Sequence, residues 1–107
     1  MVLLTRAEEI ILLAIYKLHE NAYGVTIREQ VRQDIGLYWS FGVIYRTLKK
    51  MKTKGYLEKI TSEPVAERGG RSKYYYRITP KGLASLSEIL RVHSSLWEGV
   101  RLLSFEK

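Results

Sequence analysis

The chain has 107 residues, with 18 lysines and arginines against 11 acidic residues, a formal net charge of +7 and a pI near 9.7. This length predicts one domain, and the positive excess indicates an anionic partner, either nucleic acid or an anionic membrane surface. The chain contains no cysteine, which excludes disulfides and thiolate metal sites and fits a cytoplasmic protein. The apolar run Ile10–Ile15 is too short to span a bilayer.

A first helix is predicted over residues 7–18. Thr5 and Glu8 have the spacing of a capping box, in which the two side chains satisfy backbone donors at a helix start. The helix is apolar nearly all round, which indicates burial on several sides. We therefore predict that part of it, including Ile11 and Ile15, faces a partner subunit.

A second helix is predicted over residues 25–34, after a break at Asn21 and Gly24. Its inward side chains are predicted to be Val25, Ile27 and Val31, and Gly36 is predicted to end it.

The third helix is the most readable element, because Ser40 is a candidate N-cap and Gly55 a standard helix stop. Apolar side chains recur between these two residues at steps of three and four, as on one buried helix face. That face is predicted to comprise Phe41, Ile44, Leu48 and Met51.

Two strands are predicted over residues 56–65 and 72–78, where β-branched and aromatic side chains are frequent. Gly69 and Gly70 lie between them, so the strands form a hairpin, here called the wing. On the second strand, Tyr74, Tyr76 and Ile78 are predicted to face the core, whereas Lys73, Tyr75 and Arg77 face outward.

A last helix is predicted over residues 80–103, because Thr79-Pro80 is a cap followed by proline at the first helical position. A heptad-like apolar seam runs along it, which indicates pairing with another helix. The seam comprises Leu83, Leu86, Leu90, His93, Trp97 and Val100.

The order of these elements predicts an α+β, mostly helical fold: a winged helix-turn-helix with a C-terminal dimerisation helix. Residues 1–79 are the predicted DNA-binding domain and residues 80–107 the predicted dimerisation helix.

The third helix carries cations on its outward face and in its C-terminal half, and no acidic residue. A recognition helix needs a slim start that reaches base edges and cations that reach phosphates. The predicted DNA-binding residues here are Ser40, Gly42, Val43, Tyr45, Arg46, Lys49 and Lys50, and Arg46 also has the reach to bind guanine. The alternative interpretation is a solvated amphipathic helix with incidental lysines.

The wing is the second candidate for DNA contact. Its predicted contact residues are Arg68, Gly70, Arg71 and Lys73. A thin cationic tip fits beside a minor groove, whose negative potential favours arginine. The alternative is a loop kept soluble by its charge.

Trp97 on the last helix has two interpretations. The plainer one is a tryptophan packed in a dimer interface, together with His93. The sharper one is the wall of a pocket in which a small aromatic effector stacks. Neither histidine has a carboxylate cluster in the sequence around it, so no catalytic residue, metal site or cofactor is predicted.

Three segments together resemble the PadR family of transcriptional regulators: ILLAIYKLHENAYGVTI, SFGVIYRTLKKMKTKGYLE and GGRSKYYYRITPKG. The matching positions are Tyr23, Gly24, Gly42, Tyr45, Leu48, Gly55, Arg71, Tyr76, Thr79 and Gly82. The chain departs from the family pattern at Ser72, where proline is common, and at Tyr74, where many members have a basic residue. The resemblance implies a short-branch member: a homodimeric winged-helix repressor whose last helix dimerises. In some short members, paired tryptophans on that helix bind flat aromatic compounds, and Trp97 stands at a matching place.

The sequence therefore predicts a homodimeric repressor that binds double-stranded DNA, and relief by a small aromatic effector belongs to the sharper of the two interpretations of Trp97. The alternative is a winged-helix module that binds protein or RNA without reading an operator. A protein partner fits less well, since protein interfaces are depleted in lysine. No predicted helix pairs a cationic face with an exposed apolar one, so no membrane partner is expected. An enzyme has no support.

Overall fold

The computed structural model describes residues 2–61 and 74–102. Three helices precede a hairpin of two strands, and a fourth helix follows it. In chain order the elements are α1 (Arg6–Leu18), a short 3₁₀ turn (His19–Asn21), α2 (Gly24–Ile35), α3 (Phe41–Lys54), β1 (Leu57–Thr61), β2 (Tyr74–Ile78) and α4 (Pro80–Trp97). This order confirms the predicted winged helix-turn-helix with a C-terminal helix, while the boundary between residues 79 and 80 stays a prediction.

Helix α1 is the centre of the core. The predicted capping box is present, since the Thr5 hydroxyl accepts from the Glu8 amide at 3.1 Å and the Glu8 carboxylate accepts from the Thr5 amide at 2.9 Å. Ile11 and Leu12 have no exposed surface. They pack among α2, α3 and the base of the sheet, so this side of α1 is covered within its own chain.

Helix α2 begins at Gly24 and ends at Gly36, whose left-handed φ of 73° fits the predicted stop. Ile27 and Val31 are completely buried, as predicted. The inward placement of Val25 was wrong, because this side chain is 56% exposed. It stands two residues before Ile27, and residues two apart do not share a helix face.

Helix α3 has the predicted ends. The Ser40 hydroxyl accepts from the Val43 amide at 3.2 Å, and Gly55 adopts a left-handed φ of 83°. Ile44, Leu48 and Met51 are buried, but Phe41 is 36% exposed, so its predicted core position was wrong. Phe41 is the first residue of the helix and lies at the edge of the core rather than inside it.

The wing strands pair antiparallel, from Leu57 opposite Ile78 to Thr61 opposite Tyr74. The Tyr76 amide donates to the Ala22 carbonyl at 2.9 Å, which ties the sheet to the segment between α1 and α2. Tyr76 is buried, but Tyr74 is half exposed, so its predicted packing on the core was wrong. Tyr74 pairs with Thr61 at the end of the sheet that lies beyond the core, so the core does not cover its side chain.

Tyr75 also differs from its predicted outward position. It is half-buried, and its ring meets the Tyr23 ring edge to face, with centroids 5.5 Å apart. Period-2 alternation predicts which face a residue takes, but both faces of this small sheet have neighbours close to its base.

Helix α4 starts as predicted, with the Thr79 hydroxyl accepting from the Gly82 amide at 3.1 Å and Pro80 at the first position. It ends at Trp97, six residues before the predicted position 103. A turn at Glu98 and Gly99 follows, with a φ of 78° at Gly99, and that conformation interrupts the helix. Val100 therefore lies outside the helical seam.

Candidate nucleic-acid interface

The outward face of α3 carries the predicted recognition residues. Helix α3 packs against α1, α2 and β1, and the short segment 36–40 connects it to α2. Gly42, Arg46 and Lys49 follow one another at steps of four and three, which places them on one exposed stripe. Ser40, Tyr45 and Lys50 are exposed beside the stripe and Val43 is half-buried at its edge.

In the described part of the chain, most of the positive charge on α3 is not compensated by acidic side chains. Five cations lie on α3: Arg46, Lys49, Lys50, Lys52 and Lys54. Of these, only Lys54 forms an ion pair within residues 2–61 and 74–102. The other four leave a positive surface on an exposed helix, which attracts phosphates.

Lys54 has a structural role instead. Its ammonium lies 2.7 Å from the Glu8 carboxylate of α1, which is almost completely buried. Burial alone raises the pKa of Glu8, but the hydrogen bond and charge of Lys54, with the Thr5 amide, outweigh it and hold the pKa below its ordinary value. The pair fixes the C-terminal end of α3 against the start of α1.

The same end of α3 is also bound to α4. The Lys81 ammonium donates to the Lys54 carbonyl at 2.8 Å, and the Thr79 hydroxyl donates to the Gly55 carbonyl at 2.6 Å. These contacts use the carbonyls that a helix end leaves without partners. The C-terminal end of α3 is thus anchored to the start of α4.

An aromatic and cationic cluster surrounds the other end of α3. The Arg28 guanidinium carbon lies 3.9 Å from the ring centre of Tyr38 and 4.3 Å from that of Phe41. The Arg28 Nε also donates to the Trp39 carbonyl at 2.8 Å. Sequence reasoning missed Arg28 and Tyr38, since no local pattern shows that α2 brings Arg28 next to residues ten and thirteen positions later.

Tyr45 is positioned by the glycine at the start of α2. A Cβ at Gly24 would lie 2.0 Å from the Tyr45 hydroxyl oxygen, so only glycine leaves room for this contact. Tyr45 is nevertheless 48% exposed. The tyrosine is thus held against α2 while part of its ring faces outward.

The predicted wing contacts Arg68, Gly70, Arg71 and Lys73 lie outside the described residues. The base of the wing is described and carries an ion pair, Arg77 with Glu58 at 2.7 Å across the two strands. Lys59 lies 3.9 Å from the ring centre of Tyr74 on the neighbouring strand. These cross-strand contacts fix the root from which the wing extends.

The residues predicted for a dimer or effector interface divide into two groups. Ile11 and Ile15 lie in the core of the chain itself, with at most 2% exposure. Leu90, Trp97 and Val100 are exposed by 66%, 56% and 49%. Leu86 and His93 are half-buried between them and α1.

Helix α1 shows other apolar side chains on this side, namely Leu13 and Tyr16. Together with Leu83 and Leu90 of α4 they line a groove of about 390 Å³. Tyr16 and Leu83 also border a second cavity of about 530 Å³, which extends toward the wing strands. The face shared by α1 and α4 is therefore apolar and grooved.

His93 has a partner that the sequence did not reveal. Its Nε2 lies 3.1 Å from the Glu9 carboxylate of α1, across the contact between α1 and α4. Among residues 2–61 and 74–102 no cluster of three or more histidine and acidic side chains has the arrangement of a metal site. Helices in the described part of the chain are too short or too polar to cross a membrane.

A helix-turn-helix with an exposed cationic second helix, followed by a two-stranded wing, defines a winged-helix DNA-binding protein. Residues 11–88 match the transcriptional regulator PadR-like family. The chain belongs to this family and is a DNA-binding transcription regulator, not an enzyme.

Solved structures agree with this assignment. A PadR family transcription regulator from hypervirulent Clostridium difficile shares 26% identity, with a TM-score of 0.71 over 88% of this chain and 92% of its own. A PadR-like transcriptional regulator from Bacillus cereus shares 26% identity, with a TM-score of 0.72 over 94% and 92% of the two chains. No curated protein matches the chain significantly.

Proposed function

We propose that the protein is a homodimeric repressor that binds a near-palindromic duplex operator through α3. The observation that carries this proposal is the exposed stripe of α3, whose cations have no acidic partner in the described residues. In the bound state Ser40, Gly42 and Val43 approach base edges. Arg46 binds guanine or phosphate, and Tyr45, Lys49 and Lys50 bind the flanking backbone.

The wing supplies a second contact in this proposal. Arg68, Gly70, Arg71 and Lys73 follow a strand whose base is fixed by the Glu58 and Arg77 ion pair. The arginines of the wing then lie along the adjacent minor groove or backbone.

The DNA-binding proposal is tested by titrating labelled promoter DNA at two salt concentrations. Lys50→Met is expected to weaken binding and to lower the slope of log affinity against log salt by about 0.9, the value for one phosphate contact. Arg91→Met is the matched control, because it removes one exposed cation from α4 and not from α3. Equal effects of the two variants, or binding that ignores sequence, would refute operator recognition.

The homodimer is proposed to form through the apolar face of α1 and α4. Leu90, Leu96 and Trp97 are each more than half exposed on α4, and Leu13 and Tyr16 border the groove beside them. A second copy of α4 has the apolar side chains that this groove requires. Two copies joined in this way would place their α3 helices in successive major grooves, about 34 Å apart.

Sedimentation equilibrium tests the homodimer. Leu90→Lys is expected to give monomers, because it places a charge in the centre of the apolar face. Val25→Lys is the matched control, since Val25 is similarly exposed but lies on α2. A wild-type protein that sediments as a monomer at micromolar concentration would remove this part of the proposal.

A small aromatic effector is proposed to bind beside Trp97 and to relieve repression. Trp97 is 56% exposed, so its ring face is accessible for stacking. The effector would act by favouring a dimer arrangement in which the α3 spacing does not fit the operator. The test is fluorescence quenching by planar aromatic compounds in Trp39→Phe and Trp97→Phe proteins, and quenching that survives Trp97→Phe would reject this site.

The competing function is an interaction module for RNA or protein. Competition of labelled operator with unlabelled RNA and duplex DNA separates the two functions, since a regulator of the proposed kind prefers the duplex. Repression itself is tested by transcription in vitro from a promoter that contains the selected operator, where added protein is expected to reduce transcript.

A further inference from the structure

Phe41 lies at the surface rather than in the core. A phenylalanine at the start of an amphipathic helix was predicted to be buried, but its side chain is 36% exposed. It is the first residue of α3, and the N-terminal residues of a recognition helix are those that contact base edges. An apolar ring is therefore present where the bases are expected.

The ring of Phe41 is held in place on the surface. Its centroid lies 6.1 Å from that of Tyr45, with the planes 27° apart, and the Arg28 guanidinium carbon lies 4.3 Å from it. Arg28 is fixed in turn by the hydrogen bond from its Nε to the Trp39 carbonyl. Because the ring is ordered before DNA binds, little side-chain entropy is lost on contact.

Gly42, the residue after Phe41, has open space where a side chain would stand. A Cβ at Gly42 would meet only the Ser40 hydroxyl oxygen, at 3.7 Å, among the described atoms. The residue after Phe41 thus adds no side chain that would keep a base pair away. The helix start can approach the floor of a major groove with Phe41 as its leading apolar group.

The chemistry of the groove then selects one partner for the ring. Base edges in the major groove present hydrogen-bond donors and acceptors, with a single apolar group, the C5-methyl of thymine. A phenyl ring forms no hydrogen bonds with the polar base edges. Its contact with the methyl group removes apolar surface from water, which is favourable.

We infer that Phe41, supported by Tyr45, is a specificity-determining residue that reads a thymine methyl group in each operator half-site. Arg28 is a positioning residue, which holds the ring through its guanidinium. This inference rests on the proposed operator binding and adds the identity of one base that the operator contains.

The experiment begins with selection of an operator from randomised duplexes by the full-length protein. Each thymine of the selected site is then replaced by deoxyuridine, which removes only the methyl group. At one thymine per half-site, wild-type affinity is expected to fall roughly fourfold, the contribution of one buried carbon. Phe41→Ala is expected to show no such loss at that position.

Three further variants keep the test informative. Phe41→Leu retains an apolar group and is expected to keep part of the discrimination between thymine and deoxyuridine. It tests the contact in a folded protein if Phe41→Ala folds poorly. Leu37→Ala is the matched control, since Leu37 is exposed in the segment before α3. This variant is expected to keep the full discrimination between thymine and deoxyuridine. Arg28→Lys is expected to lose discrimination while the salt dependence of binding is unchanged, because the charge stays and the planar stack is lost.

The outcomes are separable. If no operator emerges from the selection, the proposed function fails and the inference fails with it. If an operator emerges but no deoxyuridine weakens wild-type binding, or the same deoxyuridine weakens Phe41→Ala equally, operator binding stands and the methyl contact is overturned.

Discussion

Replacing Lys54 by methionine tests how the recognition helix is anchored. The variant removes the cation that neutralises Glu8 but retains most of the apolar stem of the lysine. Glu8 would keep its hydrogen bonds with Thr5 and would still be buried. Its carboxylate would then be a buried charge without a counter-charge.

The cost follows from the position of the pair. Breaking a fully buried ion pair costs about 3–5 kcal/mol, and an exposed pair contributes about 0–1 kcal/mol. The Glu8 side chain is 4% exposed and the Lys54 side chain 41% exposed, so the pair lies between these limits. We expect Lys54→Met to lower the free energy of unfolding by about 2 kcal/mol at pH 7. This change corresponds to a melting temperature that is lower by roughly 10 °C.

The pH dependence has a definite sign. In the wild type the pKa of Glu8 is below its unfolded value, so the ionised group stabilises the fold at neutral pH and this contribution is lost in acid. In Lys54→Met the remaining burial raises the pKa of Glu8 relative to the wild type. The stability difference between the two proteins is therefore expected to shrink as the pH falls below about 5, where protonated Glu8 needs no cation.

The assay is urea unfolding followed by circular dichroism at pH 7 and pH 4. Lys52→Met is the control, because Lys52 is also in the last turn of α3 but forms no ion pair within the described residues. A loss at pH 7 no larger than that of Lys52→Met would refute the argument, and so would a loss of the same size at pH 4.

Three other substitutions test particular contacts. Gly82→Ala should cost about 3 kcal/mol in thermal unfolding, since its Cβ would lie 2.1 Å from the Tyr56 carbonyl oxygen, whereas Gly42→Ala, which has space, should cost nothing. Thr79→Ala should cost about 1–2 kcal/mol, because it removes both the cap of α4 and the hydrogen bond to the Gly55 carbonyl. Gly24→Ala should weaken DNA binding by displacing the half-exposed Tyr45, and little further weakening is expected when it is added to Tyr45→Ala; additive effects would disprove this coupling.

Local chemistry was enough to predict the elements and their ends. Thr5 with Glu8, Ser40, Gly55 and Thr79 with Pro80 each carry a capping or stop signal, and all of them act at the predicted places. These signals work because a helix end needs partners within a few residues. The predicted end of α4 failed because the turn at Gly99 interrupts an apolar pattern that continues beyond it.

The candidate site was predictable in part. The exposed positions of Gly42, Arg46 and Lys50 follow from helical periodicity along α3. The cluster of Arg28, Tyr38 and Phe41 was not predictable, since the angle between α2 and α3 creates it. Periodicity assigns a side chain to a helix face but does not say where the core ends along the helix.

The sequence by itself determined the class of fold, the order of the helices and the cationic character of α3, because these depend on composition and on interactions between near neighbours in the chain. Only the tertiary structure decided that Lys54 forms an ion pair with Glu8 and that the Tyr45 hydroxyl packs against Gly24. It also decided that Ile11 is buried in the core of its own chain. Each of these depends on which distant segment packs opposite, and that choice is made by the whole core at once.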